Sequence, residues 1–107
     1  MSKKIRSYGA LAAVILMVGA VGLAQSSGEA IYKAKCQGCH GAQGTPNPGI
    51  AKAMGVKPAS DPSVKALGET QMIADTSNGK GKMPAFKGKL TDAQIKDAVD
   101  YFRTFAK

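Results

Sequence analysis

The chain has no tryptophan, a single histidine, His40, and only two cysteines, Cys36 and Cys39, among its 107 residues. One histidine excludes any site that needs two imidazoles. Two cysteines exclude the multi-bridge frameworks that staple many small exported domains. Three Phe and three Tyr are the whole aromatic stock, too little to fill a large core. Acidic residues are also scarce: 7 Asp and Glu stand against 15 Lys and Arg, a formal charge of +8. No run alternates apolar and polar residues as a half-buried strand does, and no internal repeat is visible. Sheet and solenoid architectures are therefore set aside in favour of an all-α domain with long loops.

The one long apolar run lies at the start. Lys3, Lys4 and Arg6 form a basic opening, and residues 9–24 are uninterrupted apolar or small residues, the pattern of a secretory signal peptide. Gly22 and Ala24 stand at the small-residue positions that a signal peptidase requires. We expect a leader over 1–24, with cleavage after Ala24, and a domain over 25–107. That domain has 83 residues, 12 of them basic and 7 acidic, a net +5. The alternative is an uncleaved N-terminal membrane anchor, although the sixteen residues of the run fall below the roughly 20 that span a bilayer. Either way the domain is exported, and no later stretch is apolar enough to cross a membrane.

A basic surface attracts acidic proteins, anionic membranes or nucleic acid. Export speaks against nucleic acid, as do lysines scattered from Lys33 to Lys107 without interleaved aromatics. A domain this small has a marginal core unless something reinforces it. The search for function is therefore also a search for that reinforcement.

Ala30, Ile31 and Ala34 are helically spaced behind Ser27, a residue suited to the N-cap, so a short helix runs into the cysteines. Residues 41–49, GAQGTPNPG, carry three Gly and two Pro and read as loop. IAKAMG fits one helical turn. In SDPSVKALG, Asp61 suits an N-cap, Pro62 the first helical position and Gly68 the end. A third segment, ETQMIADTSNG, puts Met72 and Ile73 on one face and closes on Asn78-Gly79. Residues 80–89, KGKMPAFKGK, are kept irregular by Gly81, Pro84 and Gly88. The clearest element is the last: Thr91 and Gln94 form a capping box, and Ile95, Ala98, Val99, Phe102 and Phe105 or Ala106 make a stripe of period 3.6.

Cys36-Gln37-Gly38-Cys39-His40 admits three chemistries. A dithiol redox site sits at a helix N-terminus after a strand, where the dipole lowers the thiol pKa; here a helix precedes the motif and no strand is visible. A structural zinc site needs four Cys or His ligands, and the chain has three, all within five positions. Covalent haem attachment matches the spacing: two thiols three positions apart can add to the two vinyl groups of one porphyrin, and the adjacent imidazole is then held beneath the iron. One copy of the motif means one haem c. The porphyrin would also be the missing reinforcement.

The second axial position must come from Met54, Met72 or Met83, or stay open. Met72 lies on a helix face beside Ile73, and Met54 in an apolar turn, where packing accounts for both. Met83 sits in a glycine-punctuated loop able to wrap a haem face, with Pro84 restricting the backbone. A thioether opposite an imidazole raises the reduction potential relative to a second imidazole, and two protein ligands leave no position for oxygen or peroxide. Single-electron transfer follows as the expected activity. A haem enzyme or gas sensor would need a displaceable sixth ligand, and a thiol oxidoreductase would need free thiols.

With Cys36, Cys39, His40 and Met83 in hand, the chain resembles the class I monohaem c-type cytochromes, the small bacterial kind, over essentially all of residues 25–107. GEAIYKAKCQGCHG is similar to the family's first helix, with Gly28 and Tyr32 eight and four positions before Cys36. VDYFRTF is similar to its partner helix, with Tyr101 at the aromatic contact, and GKGKMPAF to the axial methionine loop. The resemblance implies an all-α cytochrome c fold, with three to five short helices around one covalently bound haem and the N- and C-terminal helices packed together. It implies thioethers at Cys36 and Cys39, axial ligation by His40 and Met83, and a monomeric, non-enzymatic electron carrier in the periplasm. Its redox partners would present acidic docking surfaces to Lys52, Lys80, Lys82, Lys87 and Lys89. Many members orient the proximal imidazole through a proline carbonyl, but Pro46 and Pro48 come only six and eight residues after His40, a departure from that pattern.

Overall fold

The structure, a computed structural model, describes residues 27–106; the expected leader over 1–24 lies outside the described residues. Six helical segments follow one another. α1 is helical over residues 27–35, α2 is Gln37–His40, α3 Pro48–Met54, α4 Pro62–Lys65, α5 Glu69–Asn78 and α6 Asp92–Arg103, continued by a 3-10 turn over Thr104–Ala106. The count exceeds the expected three to five because α2 and α4 are single turns of four residues. Among the described residues there is no strand, only isolated bridges between Lys80 and Met83 and between Lys87 and Leu90.

Local chemistry accounts for most boundaries. Asn47 extends its backbone and accepts from the Ile50 amide at 2.8 Å, so α3 begins at Pro48, two residues earlier than the apolar turn suggests. Pro48 lacks an N–H that the first helical position would leave unpaired anyway. Asp61 caps α4 by accepting from the Ser63 amide at 2.9 Å. α4 ends at Lys65, and Gly68, expected as its stop, is instead the N-cap of α5. Ser27 is itself helical rather than a cap before the helix. The Thr91–Gln94 capping box is complete, with the Gln94 amide donating to Thr91 Oγ1 at 3.1 Å and the Thr91 amide donating to Gln94 Oε1 at 2.9 Å.

The stripe read from the sequence on α6 is the centre of the core. Ile95, Ala98 and Val99 are buried, and Ile95 and Val99 cluster with Met72 of α5, which packs against α6. Burying one such side chain contributes roughly 1.5–3 kcal/mol. Phe102, Phe86, Leu67, Val64 and Leu90 extend the cluster. Lys96 on the outer face pairs with Asp100 at 2.7 Å and Glu69 at 3.6 Å, exposed pairs of small energetic weight.

α1 crosses α6 closely enough that a Cβ at position 28 would stand 2.6 Å from the Asp97 carbonyl oxygen. Only glycine fits there. Tyr32, one turn on, packs its ring 5.4 Å from that of Tyr101 and 5.6 Å from that of Phe105, centroid to centroid. The expected packing of N- and C-terminal helices is therefore present, with Gly28 and Tyr32 at the contact.

Candidate functional site

α1 does not stop cleanly at Lys35. The Cys36 amide still donates to the Tyr32 carbonyl at 2.9 Å, and the Cys36 carbonyl then accepts from both the Cys39 amide at 3.2 Å and the His40 amide at 3.0 Å. The chain tightens into α2 at this point, so both thiols and the imidazole belong to one turn. Gly41 follows with φ 85°, and the Thr45 carbonyl packs against its α-carbon where a side chain would have to go. The loop after the motif thus folds back on His40.

Cys36 and Cys39 are free, the first half-buried and the second exposed. Burial pushes the Cys36 thiol above its ordinary pKa, the reverse of what a dithiol redox centre needs. Among the described residues no three His, Cys, Asp or Glu side chains converge in a way that could hold a bare metal ion, which removes the zinc reading there.

Burial also lowers the His40 pKa, keeping the imidazole neutral and able to ligate. Among the described residues its buried Nδ1 has no hydrogen-bond partner, so neither the Pro46 nor the Pro48 carbonyl accepts from it. The ring is instead braced by Phe102, whose edge meets it at a centroid distance of 5.2 Å and an angle of 64°. Packing, rather than a proline carbonyl, sets the orientation of this imidazole.

A cavity of about 610 Å³ opens beside the motif, within the roughly 300–1,000 Å³ of small-molecule and cofactor sites. Cys36, Cys39, His40 and Met83 all lie on its wall, and Val56, Leu67, Phe86, Val99 and Phe102 are among its apolar lining. Met54 and Met72 line it as well. Met83 arrives on a tight turn closed by two backbone bonds, Met83 amide to Lys80 carbonyl at 3.0 Å and Lys80 amide to Met83 carbonyl at 3.2 Å. That loop is tied to the end of α5 by the Phe86 and Lys87 amides, which donate to the Thr76 and Ser77 carbonyls at 3.0 and 3.1 Å.

Of the five lysines singled out in the sequence, Lys80 and Lys82 line the cavity, while Lys52, Lys87 and Lys89 do not. Lys35 and Lys57 also line it, although sequence reasoning does not single them out. Lys35 has a local signal in its place beside Cys36, whereas nothing local marks Lys57, which is brought there by the chain between α3 and α4.

The donor set suits a porphyrin: two thiols on one turn, a half-buried imidazole kept neutral, thioethers, and a largely apolar chamber of suitable volume. Comparison with known proteins agrees. The family described as cytochrome c oxidase, cbb3-type, subunit III matches residues 24–102. The chain is 33% identical over 79 residues to cytochrome c6 of Leptolyngbya boryana, covering 71% of this chain and 86% of that protein. It is 40% identical over 84 residues to cytochrome c-555 of Chlorobaculum thiosulfatiphilum, covering 71% and 90%. A solved structure, the KustC0563 c-type cytochrome, superposes with a TM-score of 0.67 at 29% identity, over 75% of this chain and 98% of that one.

Proposed function

This chain belongs to the c-type cytochromes, haem c electron carriers rather than enzymes, and on that footing we propose a specific site and place of action. Cys36 and Cys39 bind the haem covalently, His40 and Met83 are its axial ligands, and the protein passes single electrons between redox partners in the periplasm. The observation that carries this reading is one cavity with all four of those side chains on its wall.

Bound haem supplies the one-electron couple of its iron. Cys36 and Cys39 would hold one edge of the group through thioether bonds. His40 presents a neutral imidazole whose plane is held by Phe102. Met83 is favoured over the other two methionines by its setting. Met72 reaches the cavity wall but is buried in the core cluster with Ile95 and Val99, and Met54 is 37% exposed at the end of α3. Met83 is half-buried on a turn that two backbone bonds and the tie to α5 hold in place. A soft, neutral thioether favours the reduced iron, and a site filled on both sides excludes exogenous ligands. The apolar part of the wall would shield much of the group from water, so that little need reorganise when an electron arrives.

The exposed lysines at the cavity, Lys35, Lys57, Lys80 and Lys82, support docking to acidic partners. An association rate that falls steeply with added salt is the expected signature. Export rests on the basic and apolar opening of the chain; among the described residues no helix is long and apolar enough to cross a membrane.

The decisive experiment is Met83→Ala. The wild-type holoprotein should be low-spin and six-coordinate in both oxidation states. The variant should have a lower potential and bind carbon monoxide or cyanide readily. An unchanged potential and spectrum would remove Met83 from the iron, and a high-spin wild type would favour the enzyme or sensor reading.

A further inference from the structure

Lys82 immediately precedes Met83, and its Nζ donates to the Ala53 carbonyl at 2.7 Å. These residues are 29 positions apart. Among the described residues the other side-chain hydrogen bonds shorter than 3.5 Å join residues no more than nine apart, and the longer Lys96–Glu69 pair at 3.6 Å spans α5 and α6, away from the cavity loops. The acceptor explains the contact. Ala53 lies in the last turn of α3, where the final four carbonyls have no partner within the helix and the negative end of the dipole favours a cation. Lys82 therefore caps α3 from another part of the chain.

Its neighbour behaves differently. Lys80 turns back to Asp75 at 3.6 Å, close to its own loop, and ties nothing distant together. Met54, Gly55, Val56 and Lys57 make one stretch of the cavity wall, and residues 80–84 make another. The Lys82–Ala53 bond joins those two stretches at the position next to the methionine.

We propose that Lys82 is a positioning residue that straps the Met83 turn to the end of α3 and so holds the Met83 thioether at the cavity. This rests on the reading of Met83 as an axial ligand. For the thioether to leave, the turn must swing outward, and the strap must break first. Removing the strap raises the fraction of molecules in which the sixth position is free. The apparent affinity for an added ligand rises in proportion to that fraction.

The test is titration of the ferric holoprotein with imidazole, a small neutral ligand that occupies the freed position. Lys82→Met keeps the aliphatic stem and removes the donor; it should bind imidazole about five-fold more tightly, the scale of one net hydrogen bond. Lys82→Arg, which retains charge and donors, should restore wild-type affinity, and Lys80→Met, with the same loss of charge, should stay within about two-fold. The sulfur-to-iron charge-transfer absorption should persist without imidazole in all three. Lys82→Met binding imidazole as the wild type does, or Lys80→Met matching its gain, overturns the strap. Met83→Ala separates the two readings. If it binds imidazole far more tightly than wild type while Lys82→Met does not, the strap alone fails; if it binds no more tightly, the Met83 ligand fails and the strap with it.

Discussion

Among the buried side chains of the described residues only Tyr32 carries a hydroxyl, and that hydroxyl donates to the Gly41 carbonyl at 2.6 Å. The bond connects α1 to the residue after His40, while the Tyr32 ring stacks on Phe102, centroids 6.2 Å apart, which braces the imidazole. Tyr32→Phe keeps the ring and leaves the Gly41 carbonyl only the longer bond from the Gly44 amide at 3.3 Å, so the holoprotein should lose about 1 kcal/mol in denaturant unfolding near neutral pH. Burial pushes the Tyr32 phenol from 10.0 up to about 12. The folded state thus holds this proton more tightly than the unfolded chain does. Its contribution is full below about pH 10 and is lost as pH rises through about 12. Unfolding curves over that window should show the wild-type advantage over Tyr32→Phe shrinking; a constant difference would separate the hydroxyl's role from its ionisation.

Elements differ in how far their own residues determine them. α6 is legible in the sequence because its signals are local: Thr91 and Gln94 stand three apart, and Ile95, Ala98 and Val99 mark one face. Thr91→Ala removes one half of the capping box and should cost about 1 kcal/mol in denaturant unfolding, with no shift in the haem spectrum because α6 stays packed through Ile95. The Cys36–His40 turn is legible for the same reason, all its chemistry lying within five residues. The start of α3 is not, because it depends on the Asn47 side chain, whose cap competes with ordinary loop conformations of an Asn-Pro pair. The role of Lys82 has no local signal at all, since its acceptor is a backbone carbonyl 29 residues away. His40 orientation is likewise out of reach of the sequence: the spacing of Pro46 and Pro48 departs from the proline-carbonyl pattern without naming a substitute, and Phe102, whose edge meets the ring, lies 62 residues downstream.

At the scale of the whole molecule, the chain's own apolar core is thin. Ile95, Val99 and Met72 are its buried centre, with Tyr32, Ala98, Ala59 and Pro46 the other buried apolar side chains of the described residues. Around them Val64, Leu67, Phe86 and Phe102 pack against that centre with one side while lining the cavity with another. These residues are therefore shared between the protein core and the cofactor chamber. A porphyrin held in the chamber would complete their burial, contributing apolar area that two tyrosines and three phenylalanines after residue 24 do not supply. Small domains of this kind need such reinforcement, and a group that binds the folded chain stabilises it by mass action; a covalent bond makes the effect permanent. Replacing Cys36 and Cys39 together by Ala removes both proposed anchors while leaving His40 and every residue of the longer helices α3, α5 and α6 in place. We expect that chain to be largely unfolded by circular dichroism and to regain helicity when haem is added, through His40 and the apolar wall. A haem-free double variant with native helicity and a cooperative thermal transition would show instead that α5 and α6 hold the fold unaided, leaving the haem a passenger in a preformed chamber.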